Sequence, residues 1–214
     1  MSDGDFPPWA LLHRPARRVL ELPDIADRVL LAYHEAGHAV ALRAFGLPIW
    51  RAELLPMSGR VSQIIDTAPV GDDVAGGFSL EQLATLADVT AIGHAATAAA
   101  GVQAELLARY GGAARGLRGV RVIRPGSDEQ VMTAHLAGRF DAPLPVAYCQ
   151  HVARAILCQH WPGVEALARY LYALGTATGA MIDNLLAPAG CPDGRGIDWA
   201  LSVVLSQTAA AMAS

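Results

Sequence analysis

Apolar and polar positions follow a helical period over most of the chain, with one clear interruption. From Arg28 to Phe45 the pattern predicts an amphipathic helix of strong formers, with Asp24 as its N-cap and Gly46 followed by Pro48 as its stop. The period then drops to two. Trp50, Ala52 and Leu54 fall on one side of a strand, Met57-Ser58-Gly59 supplies a turn, and Val61 to Ile65 forms the returning strand of a hairpin. Ala68 to Gly77 reads as a loop, and Ser79 with Gln82 gives a capping box that opens a helix running in pieces from Leu80 to Ala108. The glycine- and arginine-rich stretch Gly111 to Gly126 reads as a solvated loop, after which Ser127 caps a helix from Asp128 to Gly138. Helices are predicted at Val146 to His160 and Val164 to Ala173, with a short turn at Met181 to Leu186. The expected fold is therefore mainly α, with a small β-hairpin or sheet beside the helix at 28–45. Residues 1–23, with Pro7, Pro8, Pro15 and Pro23, read as an irregular segment.

Composition narrows the class. The 214 residues are 53% hydrophobic with a mean hydropathy of +0.30, which raises the question of a membrane span. Much of that content is alanine. The least polar stretch, Ala84 to Val102, carries Asp88 and His94 and reads as a buried helix, so no membrane span is expected. Asp3 and Asp5 near the start, with no basic region before an apolar run, exclude a secretory signal. A net charge of -4 argues against nucleic acid as a partner. Cys149, Cys158 and Cys191 are scattered thiols that form neither a disulfide framework nor a cysteine zinc site, and they fit a reducing, cytoplasmic setting.

The chemistry concentrates in His34-Glu35-Ala36-Gly37-His38. Residues i and i+4 share a helix face, so the two imidazoles can meet one zinc ion. Glu35 is turned about 100° from that line, where a carboxylate serves as a general base and not as a ligand. Two histidines bind zinc weakly, and a catalytic site needs a third protein ligand. Glu105, Asp128, Glu129, His94 and His135 are candidates, and spacing does not choose among them. The histidine-rich extension that would carry a third ligand on the same helix is missing, because Gly46 to Pro48 ends it. His94, His151 and His160 are expected to be packing or surface residues. Trp50, Trp161 and Trp199 are expected to anchor a core or an interface, and Tyr33 to pack beneath the site.

The run Leu31-Ala32-Tyr33-His34-Glu35-Ala36-Gly37-His38-Ala39-Val40 resembles the zinc helix of the FtsH-type, AAA-linked membrane proteases. Ala98 to Leu107 is similar to that family's second helix, although its paired glycines and its arginine are gone. Pro125 to Ala134 resembles the segment bearing the third ligand, with Ser127 in place of the usual asparagine. Ala155 to Leu157, Trp161 to Ala168 and Asn184 to Leu186 are similar to its last helices, so the resemblance spans roughly residues 26 to 187.

That resemblance implies a peptidase-like domain at 24–187 followed by a tail at 188–214. The implied zinc ligands are His34, His38 and Asp128. Glu105 is the second choice for third ligand, or an outer carboxylate that orients one of the histidines. It implies hydrolysis of peptides or unfolded segments with Glu35 as base, and a substrate strand paired along Val61, Ser62, Gln63, Ile64 and Ile65. No phosphate-loop sequence of glycine, four residues, glycine, lysine and serine or threonine occurs. The expected protein is thus an ATP-independent domain standing without motor or membrane helices, with a homo-oligomer left open. The alternative is a non-catalytic or accessory zinc module that docks on a partner, such as an ATPase supplied in trans.

Overall fold

The computed structural model describes residues 18–21, 27–55, 59–63, 80–111, 120–123, 146–191, 196–198 and 200. Its elements are β1 (Arg18–Glu21), α1 (Arg28–Ala44), β2 (Ile49–Leu54), β3 (Gly59–Gln63), α2 (Leu80–Tyr110), β4 (Val120–Ile123), α3 (Val146–Gln159), α4 (Trp161–Leu174), β5 (Thr176–Thr178) and α5 (Gly179–Leu186). The fold is mainly α. A three-stranded antiparallel sheet of order β3-β2-β5 lies beside α1, and β1 pairs in parallel with β4.

Helix α1 is the hub, packing against α2, α3 and α4 and against strands β2 and β3. Its N-cap is Asp27, not Asp24: the Asp27 carboxylate accepts from the Val29 amide at 2.8 Å, and the helix begins one residue later. The stop falls where the glycine demands it, with Gly46 at φ +69°. Such a central helix has to be surrounded, and it is. Ala36, Ala39, Val40 and Ala41 are fully buried, as are Ala95, Ala96, Ala100 and Ala104 on α2. The alanine that raised the mean hydropathy therefore lies in close helix contacts. Among the described residues no helix is long and apolar enough to cross a membrane.

Several expectations are corrected. The helix predicted in pieces at 80–108 is continuous over 31 residues, since it contains no proline and is rich in alanine and leucine, with Gly93 and Gly101 its only glycines. Helix α4 starts at Trp161, because Pro162 fits the first turn, where its missing N–H costs no hydrogen bond. The segments read as an irregular N-terminus and a solvated arginine loop meet as β1 and β4, with Arg18 opposite Val120 and Glu21 opposite Ile123. Finally, the β2/β3 register slips between Ile49 and Arg51. This irregularity separates Trp50 from Ala52 and Leu54: the latter two are buried, whereas Trp50 is 56% exposed with the Arg51 guanidinium 4.2 Å over its ring. Trp161, in contrast, stacks on Tyr33 with centroids 5.6 Å apart. Trp199 lies outside the described residues.

The buried polar groups away from α1 are structural. Arg154 donates from Nε to Gln103 Oε1 at 2.8 Å between α3 and α2, and desolvation lowers its pKa to about 10. Burial pushes the Cys149 thiol up to about 12, which leaves it an inert packing group. His160 is buried and donates from Nδ1 to the Ala189 carbonyl at 3.0 Å, as expected of a packing histidine. His94 and His151 are half-buried.

Candidate metal centre

The site forms where α1 crosses α2. Gly37, on the same face as His34 and His38, makes the close approach: a Cβ there would lie 2.6 Å from Ala104 Cβ and 2.7 Å from the Ala100 carbonyl oxygen. Helix α2 answers with small residues. Thr97, Gly101 and Glu105 recur at i, i+4 and i+8, so they share one face and meet the two histidines in turn.

Each imidazole is held by its Nδ1. His34 Nδ1 lies 2.8 Å from Glu105 Oε1, and Glu105 is fully buried. His38 Nδ1 lies 2.7 Å from the Thr97 carbonyl oxygen. A carbonyl only accepts, so His38 carries its proton on Nδ1, and Glu105 accepting from His34 would hold that ring in the same tautomer. Both Nε2 atoms then present lone pairs to a common point, and they stand 3.0 Å apart. Two nitrogens about 2.0–2.1 Å from one tetrahedral ion would be about 3.3 Å apart, so the pair matches two adjacent corners of a zinc site. Lone pairs at this distance repel unless a cation or a proton lies between them. Helix α2 leaves that side clear only because residue 101 is glycine, where a Cβ would come within 2.5 Å of both Nε2 atoms.

Glu35 occupies the next face of α1 and is 4% exposed. It abuts β3: a Cβ on Gly59 would fall 2.5 Å from Glu35 Oε1. Strand β3 is an edge of the described sheet, so the backbone of Gly59 to Gln63 runs beside the carboxylate with one side not paired to β2 or β5. Two buried carboxylates, Glu35 and Glu105, thus flank two imidazoles. Buried carboxyl groups are held in proteins by hydrogen bonds, by pairing or by a metal.

Of the residues singled out in the sequence, His34, His38, Glu35 and Glu105 come together. Glu105 stands at Nδ1 of His34, on the side of the ring away from Nε2, which is the position of an orienting carboxylate. Val61, Ser62 and Gln63 lie on β3, whereas Asp128, Glu129, His135, Ile64 and Ile65 lie outside the described residues. Among the described residues no group of three or more His, Cys, Asp or Glu side chains forms a complete ligand set. Thr97, Gly59 and Gly101 join the site without a sequence expectation that placed them there. The spacing of Thr97 and Gly101 before Glu105 was the available signal. No family model matches the chain, and no curated protein matches it.

Proposed function

We propose that this chain is a zinc-dependent peptidase of the FtsH type, acting on peptides or unfolded segments. The observation that carries the reading is the histidine pair: two Nε2 atoms converge at 3.0 Å while both Nδ1 positions are committed to fixed acceptors. His34 and His38 would hold the ion with Asp128, the third ligand that the sequence resemblance implies. When bound, zinc would acidify a water molecule and polarise the scissile carbonyl.

The remaining work falls to the protein. Glu105 and the Thr97 carbonyl fix the ring tautomers, so no proton has to move before the ligands can act. Glu35 takes the proton of the attacking water and delivers it to the departing amine nitrogen. The side of β3 that faces away from β2 would align an extended substrate backbone beside Glu35 by strand addition, which favours unfolded chain over folded surfaces. Burial of Glu35 limits solvent access to the reacting centre. A purely structural zinc site has no use for such a base, which weighs against a non-catalytic module.

The test compares the wild-type chain with Glu35→Gln in digestion of casein and a peptide library, with zinc content measured on both. Wild-type cleavage should be stopped by a chelator and restored by zinc, and Glu35→Gln should lose at least about 10²-fold in rate with its zinc retained. Equal cleavage by both proteins, or none by the zinc-loaded wild type, would sink the proposal.

A further inference from the structure

Resting on that reading, we propose that Gly59 is a positioning residue, whose bare backbone at the edge of the sheet holds the Glu35 carboxylate in its working place. Its sequence context gives Gly59 only a turn role, and it does open β3, paired with Leu54 across the hairpin. The structure gives it a second task. The three atoms nearest to a Cβ at this position are all from Glu35: Cγ and Oε1 at 2.5 Å and Cδ at 2.6 Å. Side-chain carbons do not approach other atoms so closely, so any residue but glycine would move the carboxylate.

What yields to the clash sets the consequence. At Gly37 the obstacles are a helix backbone and a short Cβ, so a side chain there forces the helices apart. At Gly59 the obstacle is the end of a flexible side chain, while the residue sits on an edge strand with a half-buried environment. Substitution should spare the fold and the histidine pair and displace the base. Because substrate would pair along the same strand, Gly59 also fixes the spacing between the substrate backbone and the group that transfers its proton.

The experiment is a double-substitution cycle. Glu35→Asp shortens the side chain by one methylene and makes room for a methyl group at position 59. In the native background Gly59→Ala should lower kcat by about 30-fold or more with KM within about twofold, at unchanged zinc stoichiometry. In the Glu35→Asp background the same substitution should cost less than about fivefold. A residue that merely shaped the turn would give the same loss in both backgrounds, and that additive result, or a native kcat for Gly59→Ala, would overturn the proposal.

A second readout does not depend on turnover. In the cobalt-loaded protein Gly59→Ala should change the visible absorption spectrum in the same sense as Glu35→Ala, and should add nothing in the Glu35→Ala background. A spectrum unaltered by Gly59→Ala refutes the positioning role even in a chain that cleaves no peptide. Loss of peptidase activity in the wild type would instead strike the functional reading.

Discussion

His34 and His38 share one helical turn with Glu35, yet the proposed ligands and the proposed base lean on different parts of the molecule. The histidines face α2, where a fully buried carboxylate, a main-chain carbonyl and two close glycine contacts fix them from several sides. Glu35 faces β3, an edge of the described sheet, where a Cβ on Gly59 would meet its carboxylate. The ligand pair is thus set by core packing and the base by the rim of a small sheet. Metal binding and proton transfer should therefore respond separately to mutation, although their residues are adjacent in sequence.

The comparison breaks most severely at the helix crossing. Gly37→Val would push α1 from Ala100 and Ala104 and should cost about 3 kcal/mol, read from denaturant unfolding as a lowered midpoint at unchanged slope. Next come the outer supports of the ligands. Glu105→Gln should weaken zinc binding by about 10- to 100-fold in competition with a chromogenic chelator, with little change in helicity. Gly101→Ala should weaken it in the same assay, since alanine suits a helix and its methyl meets both Nε2 atoms. Asp27→Ala removes the cap of α1, about two turns before His34, and should cost about 1 kcal/mol with zinc stoichiometry intact. On the strand side Trp50→Ser should change stability by less than about 0.5 kcal/mol, because the ring is exposed on the far side of the sheet's buried residues. A large loss there would mean that the exposed face of the sheet supports the core more than its burial indicates.

Local pattern made much of this legible. The histidine helix, the hairpin and the mainly α character follow from short-range periodicity, and helix geometry alone aligns His34 with His38. The pairing of β1 with β4 was not legible, because four-residue strands in proline- and arginine-rich surroundings acquire meaning only when brought together from distant positions. The register slip at Trp50 escaped for a related reason: alternation fixes a face only while the ladder is regular. In the site, the resemblance pointed to Glu105, but not to which histidine nitrogen it would meet. Gly59 and Gly101 were invisible as site residues because a glycine's contribution is the atom it lacks, and that shows only against its neighbours. Asp128 remains a matter of sequence resemblance.

The parallel ribbon of β1 and β4 also carries a consequence for the order in which the chain assembles. Arg18 must find Val120 across a loop of about one hundred residues, whereas β2 and β3 close over a handful. During synthesis at about 5–20 residues per second, β1 would wait on the order of 5–20 s for its partner to be made. By then the histidine helix, the hairpin and α2 have all been made. The half of the molecule that carries the histidine pair can therefore begin to pack first, with the ribbon closing over a structure already in place.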